Sequence, residues 1–401
     1  MNKIFRFSTI IFAGFGLFLF FTYSRDFNFS GDLQPSAELV AVQTAPAPAP
    51  KPNPYSDIEP QPPLDSPPAI IKAIYATGWT AGSEKGITRL INLINETEVN
   101  AIVIDIKDYS GELSYPTALE DVEKYGAKRD LKILRPNALI KKLHDNGIYV
   151  IARQTVFQDP TLALGRPDLA LTSSSTGKQW KDYKGVMWMD TAAQEVWDYN
   201  IEIARDALAR GFDEVNFDYI RFASDGNMKD VVYPAWNKKT SKSETVRRFF
   251  QYLREHLGDA RLSADLFGYT TLLYDDLGIG QIIENAYIYF DYVAPMVYPS
   301  HYNSGFLGYK NPAEKPYEVV FESMYTAYQR LEHLKNASTT QTVRGQLRPW
   351  LQDFDMGATY DATKVRAQIT ATYKSASSTP IGWMLWAPSN VYTRAALLTD
   401  N

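Results

Sequence analysis

From Ile70 onward the chain alternates strand-like and helix-like segments through eight repeats of the pattern. This alternation restricts the fold more than any other feature. Strands separated by helices pair in parallel, and eight such units close into a barrel. The strand-like segments are AIYATGW (73–79), AIVIDIKD (101–108), YVIARQTVF (149–157), EVNFDYI (214–220), LSADLFG (262–268), YVAPMVYP (292–299), VRGQLRPWLQ (343–352) and GWMLWAP (382–388). Between them, GITRLINLINET, PNALIKKLHDNG and AAQEVWDYNIEIARDALARG repeat apolar residues at helical spacing. The expected fold class is α/β, a (β/α)8 TIM barrel over residues 70–395. An open doubly wound sheet is the competitor, but it calls for a glycine-rich phosphate loop after the first strand. TGWTAGSEKG matches that loop only weakly.

The segments before the barrel differ in kind. Lys3 and Arg6 precede an uncharged run from Phe7 to Ser24. At about 1.5 Å per residue that run nearly crosses a hydrocarbon core. No small-x-small cleavage signal follows closely, so residues 1–24 are expected to be an uncleaved signal-anchor or transmembrane segment. The alternative is a cleaved signal peptide and a secreted domain. Positive charge ahead of the run puts the barrel outside the cytoplasm. Residues 25–69 include the proline-rich stretch TAPAPAPKPNPYSDIEPQPPLDSPP, expected to be a disordered, extended spacer.

Composition excludes several functions. There is no cysteine, so thiol nucleophiles, disulfides and thiolate metal sites are absent. The four histidines show no zinc-binding spacing, so neither a metal nor a cofactor is expected. A formal net charge of -5 gives no basic footprint for nucleic acid. The 26 Tyr, 20 Phe and 8 Trp furnish flat rings, enough both for a large core and for stacking on sugars. Oligomeric state is not legible.

The long insertions (108–135, 158–189, 223–242 and 301–315) all follow strands, whereas the loops before strands are short. In a barrel the loops after strands build the active-site face. Strand parity then selects polar residues aimed at that face: Asp105 and Lys107, Arg153, Asn216 and Asp218 with Arg221 beyond, Asp265, Tyr298, Trp350 and Gln352, and Trp386. The expected catalytic pair is Asp218 and Asp265, at the ends of adjacent strands about 4.8 Å apart. Retaining glycosidases hold two carboxyls roughly 5–5.5 Å apart, inverting ones about 6.5–9.5 Å. Arg221 lies three residues after Asp218, which points to Asp218 as the ionised nucleophile. Asp265 lies in an apolar run and is assigned the acid/base. Asp105 is the reserve for either role. The other residues are expected to bind substrate, with Trp350 and Trp386 stacking on sugar rings. A purely structural ion-pair network of Asp105 with Lys107 or Arg153 is the competing reading. Asp213 and Glu214, at the other end of the fourth strand, are expected to be structural, and Asp353 to be a loop or capping residue.

IYATGWTAG, VIDIKDYSGELSYP, GFDEVNFDYIRFASDG, ADLFGY, VAPMVYPSHY and LRPWLQDF resemble a bacterial family of glycosyl hydrolase domains, grouped by similarity to TIM-barrel glycosidases. The resemblance spans about residues 70–395. The family's fourth-strand pattern runs D-E-I-Q-F-D-Y-V-R-F-P; here Asn216 replaces the Gln and Ala223 the Pro, and Asp218 and Arg221 are kept. The resemblance implies a hydrolase fold with an acid at the end of the fourth strand, and no particular substrate. The expected function is cleavage of an extracellular or cell-envelope polysaccharide. The alternative is a non-catalytic glycan-binding or scaffold module on the same barrel. An amidase or deacetylase is disfavoured by the missing metal ligands.

Overall fold

The computed structural model describes residues 56–338, 342–376 and 379–399. The chain divides into two units, 1–52 and 53–401. The first unit lies outside the described residues, and with it the expected anchor (1–24) and most of the expected spacer. Among the described residues no helix is long and apolar enough to cross a membrane.

The second unit is a closed parallel barrel. Its strands are β1 (Lys72–Ala76), β2 (Ala101–Lys107), β3 (Tyr149–Thr155), β4 (Glu214–Asp218), β5 (Leu262–Phe267), β6 (Tyr292–Met296), β7 and β8 (Trp383–Trp386). Each pairs with its neighbour in sequence, and β8 closes on β1 with Lys72 opposite Trp383. β7 is not the single strand 343–352 expected. It consists of two short pieces, Gln346–Leu347 and Trp350–Gln352. Pro349 sits in the break, where it has no N–H to give the ladder; its carbonyl still accepts from the Met384 N–H at 2.8 Å.

The helices that return the chain between strands are α1 (Glu84–Asn95), α2 (Pro136–His144), α3 (Gln194–Arg210), α4 (Lys242–Leu257), α5 (Ile283–Tyr289), α6 (Pro316–Ala337) and α7 (Ala362–Ser375). Side chains cap several of them. Ser241 Oγ accepts from the Glu244 N–H at the start of α4, and Asp361 does the same for Lys364 at α7. The large apolar core lies between strands and helices and takes the outward set of each strand, such as Ile102, Ile104, Val215 and Phe217. A second, smaller cluster inside the barrel holds Ile71, Ala73, Tyr149, Trp350 and Met384.

The end of the proline-rich stretch belongs to this unit. Residues 56–69 form neither helix nor strand, yet they are tied to the barrel. Asp57 accepts from the Asn137 and Ala138 N–H groups at the start of α2, at 2.9 and 3.0 Å. The Gln61 N–H donates to the Arg210 carbonyl at 3.0 Å, and the Leu64 N–H donates to Asp213 at 2.6 Å. Leu64 packs against the inner cluster. The barrel's bottom is therefore closed by chain that precedes Ile70.

Candidate active site

The barrel interior is layered by charge. Near the bottom, Glu214 pairs with Arg348, and it accepts from Ser263 Oγ at 2.5 Å and from Tyr149 Oη at 3.2 Å. Both members of the pair are fully buried, so this is a structural ion pair, as expected for Glu214. Asp213 faces the bottom loops, accepting from the Val150 N–H at 2.7 Å and lying 3.0 Å from His144.

Above it, at the C-terminal ends of the strands, Arg153 occupies the centre. Its Nη1 donates to Asp105 Oδ1 at 2.5 Å, its Nη2 donates to Asp218 Oδ2, and its Nε lies 3.7 Å from Asp265 Oδ2. The last distance is an ion-pair contact too long for a hydrogen bond. Tyr75 Oη donates to the second oxygen of Asp105. Asp265 Oδ1 accepts from Asn216 Nδ2 at 2.9 Å and from Trp350 Nε1 at 2.8 Å. Phe217 is in register with Ala264, which sets Asp218 and Asp265 side by side.

Three carboxyls thus share one cation. Were all three ionised, the cluster would carry two uncompensated charges in a nearly dry interior, at a cost of several kcal/mol. Burial accordingly pushes the Asp105 and Asp265 carboxyls above their ordinary range, although Arg153 opposes the shift at both. At Asp265 the neighbouring Asp218 charge adds to burial, and the pKa rises to about 8. Asp265 is the member farthest from the guanidinium. Asp218 also accepts from the Tyr219 N–H at 2.5 Å. Tyr219 itself has a φ of 53°, the left-handed region, at a typical cost of about 1–3 kcal/mol for a bulky residue. The turn it makes ends β4 directly after Asp218, and its ring packs edge-on against Trp188 at 5.9 Å.

Several expected site residues take other positions. Lys107 does not reach the mouth. The β2–β3 register shifts between Asp105 and Lys107, so the bulge sends Lys107 outward beneath α3. There it is fully buried, 2.6 Å from Asp159 and 3.0 Å from Asn200 Oδ1. Arg221 forms no ion pair with Asp218 among the described residues; Arg153, from the neighbouring strand, fills that place. Trp350 is 1 % exposed and cannot stack on a sugar; it acts on Asp265 through its indole N–H. Gln352 is fully buried and ties loops together, accepting from the Ser300 N–H and donating to the Phe354 carbonyl. Asn216 is likewise buried and orients Asp265 and Ser263. Trp386 is partly exposed, but Tyr75 covers it at 3.9 Å between ring centroids, and the Arg153 guanidinium lies 5.0 Å from its ring. Asp353 caps the loop at Thr393, as expected.

A cleft of about 380 Å³ opens beside the carboxyl cluster. Its walls come from the loops after β3 (Gln158, Asp182, Lys184) and β4 (Tyr219, Arg221, Asp225), from Phe267 at the end of β5 with Tyr269 beyond it, and from the loop after β6 (Tyr298, His301). Larger hollows of about 440 and 430 Å³ lie on the outer flank, and no barrel-strand residue lines them. The cleft is the better candidate because it adjoins the strand ends. Tyr298 lines it and feels the charges of Asp265 and Asp218, which help burial push its hydroxyl pKa well up. A two-stranded antiparallel ribbon, Thr172–Ser173 with Val231–Val232, joins the loops after β3 and β4 into one wall. Asp182, Lys184 and Asp225 were not legible as site residues, because the long loops that carry them have no periodicity to place them.

A search of curated proteins finds no match to this sequence. Among solved structures, a hypothetical protein from Ruminiclostridium thermocellum ATCC 27405 shares 37% identity over 51% of this chain and 98% of its own, with a TM-score of 0.45. An alpha-galactosidase from Thermus thermophilus is 14% identical, over 84% of this chain and 61% of that one, with a TM-score of 0.50. The chain thus spans under two thirds of the galactosidase, and at that identity the likeness shows the fold alone. The family model described as "Putative glycosyl hydrolase domain" matches residues 73–392. That match takes in every barrel strand except the first residue of β1, and the whole carboxyl cluster, so the chain belongs to that family of glycosyl hydrolase domains.

Proposed function

We propose that the protein is a glycoside hydrolase that cleaves an extracellular or cell-envelope polysaccharide, with Asp218 as nucleophile and Asp265 as acid/base. The observation that carries this reading is the sharing of Arg153 by three aspartates. It supports one ionised carboxylate in direct contact with the guanidinium and a protonated neighbour on the adjacent strand, the division of labour that glycoside cleavage needs. In the first step Asp265 donates its proton to the departing glycosidic oxygen while Asp218 bonds to the anomeric carbon. In the second, Asp265 takes a proton from water, whose oxygen displaces Asp218 and regenerates both groups. Arg153 then holds Asp218 and Asp105 and limits the charge change in the cluster.

Exposed rings support a long substrate. Trp79, Tyr109, Tyr183 and Tyr274 are all exposed; Trp79 lies in the short helix Gly78–Gly82 after β1, and the other three lie on loops that follow strands. We place the barrel outside the cytoplasm, held by residues 1–24. One fact favours the rival reading of a glycan-binding barrel without catalysis: Asp265 is only 1 % exposed. The two readings separate in a screen of the full-length protein against envelope and capsular glycans, with Asp218→Asn, Asp265→Asn and Asp225→Asn in parallel. Catalysis by the cluster predicts release of reducing ends that falls at least 100-fold in the first two variants and less than threefold in the third. Binding without release by the unaltered protein would support the rival, and collapse in Asp225→Asn alone would move the acid/base to the cleft wall.

A further inference from the structure

Arg221 is 4 % exposed and lines the cleft, yet it makes no ion pair among the described residues. Its guanidinium lies 4.8 Å from the Trp188 ring and 4.6 Å from the Phe267 ring, which fix its plane. Only Nη1 is occupied, donating to the Phe222 carbonyl and Ser224 Oγ, each at 3.0 Å. Nε and Nη2 have no partner among the described residues. Burying a guanidinium this fully costs several kcal/mol unless an anion completes it. The desolvation is visible as a downward shift of its pKa, which the nearby carboxylates only partly oppose.

The acids around it do not take that place. Asp182 is committed to the Lys184 and Val186 N–H groups and to Trp188 Nε1. Asp218 is held by Arg153. Asp225 is exposed and lies in no ion pair among the described residues. Lys184 adds a second positive charge to the same cleft; burial, with Lys184 nearby, lowers the His301 pKa and keeps that ring neutral.

We propose that Arg221 anchors the carboxylate of a hexuronic acid residue in the glycan, through the paired donors Nε and Nη2. A planar fork fits a carboxylate in bidentate fashion, and a fork fixed between aromatic rings loses little entropy on binding. A doubly charged group fits less well, because Asp182 and Asp225 stand in the same cleft. This inference rests on the glycan-cleaving reading of the site and narrows it to acidic polysaccharides.

The test is a binding titration of the full-length protein, read by tryptophan fluorescence because Trp188 lies against Arg221. Glucuronic, galacturonic and mannuronic acids are compared with glucose, galactose and mannose, and galactose 6-sulfate is a further arm. At least one uronic acid should bind 10-fold or more tighter than its neutral counterpart. That preference should vanish in Arg221→Gln and return in part in Arg221→Lys. The unaltered protein decides the matter even if a variant fails to fold. No preference for any uronic acid, whether the sugars bind equally or not at all, overturns the proposal, as does a preference that survives in folded Arg221→Gln. Tighter binding of galactose 6-sulfate than of galacturonic acid overturns it in favour of a sulfate site. Failure of hydrolysis is read separately: uronic acid preference without cleavage keeps this inference and removes the catalytic one.

Discussion

Arg153 is the residue on which the site turns. It contacts Asp105 and Asp218 directly and faces Asp265 at 3.7 Å. Removing one partner from a buried ionic cluster typically costs about 3–5 kcal/mol, so Arg153→Met is expected to lose that much in a denaturant titration and to lose activity with it. Asp265 makes a sharper prediction. Its carboxyl stays protonated in the fold up to about pH 8, against an ordinary value of 3.8. Between those values the folded state binds more protons than the unfolded one, so this group's contribution to stability falls as pH rises. The melting temperature should therefore decline from pH 5 to pH 8, and Asp265→Asn, which mimics the neutral acid, should flatten that decline. A decline of equal slope in the variant would remove Asp265 as its source. At this scale the sequence was informative about direction and poor about partners. Parity alone aimed Asp218, Asp265, Asp105, Asn216 and Arg153 inward. Proximity along the chain suggested Arg221 as the counter-ion of Asp218, but residues on neighbouring strands lie closer than residues beyond a turn. Lys107 was misplaced because a bulge has no signature in the residue pattern.

At the scale of elements, the eight strands and the helices between them followed from periodicity, and the long loops correctly marked the cleft side. The break in β7 was readable in principle from Pro349, which can give nothing to a ladder. The ribbon that welds the loops after β3 and β4 was not, since two-residue strands carry no pattern. Gly211 shows how the elements lock together. It ends α3 with a φ of 107°, and a Cβ there would lie 2.4 Å from the Gln61 carbonyl oxygen. Left-handed backbone alone costs a side-chain-bearing residue about 1–2 kcal/mol. Gly211→Ala should therefore destabilise by at least that much, in chemical denaturation, and loosen the 56–69 segment from α3. A variant within 0.5 kcal/mol of the parent would show that the contact is not needed.

For the whole molecule, the boundary read from the sequence at Ile70 cuts through packed structure. Residues 56–69 form neither helix nor strand, yet they are not the disordered spacer expected from proline content: Asp57 caps α2 and Leu64 packs against the inner cluster. A chain beginning at residue 56 should melt close to the full-length protein, whereas one beginning at residue 70 should melt several degrees lower. Equal melting of the two would assign the 56–69 contacts no role in stability. The barrel's function rests on a narrower point, the roles given to Asp218 and Asp265. The most direct measurement is covalent trapping with activated 2-deoxy-2-fluoro glycosides, including uronic acid forms, followed by peptide mass spectrometry. One glycosyl adduct is expected, on the peptide that contains Asp218, slow to turn over and absent in Asp218→Asn. An active enzyme that forms no adduct, or forms it on Asp225 or Asp105, would contradict those roles.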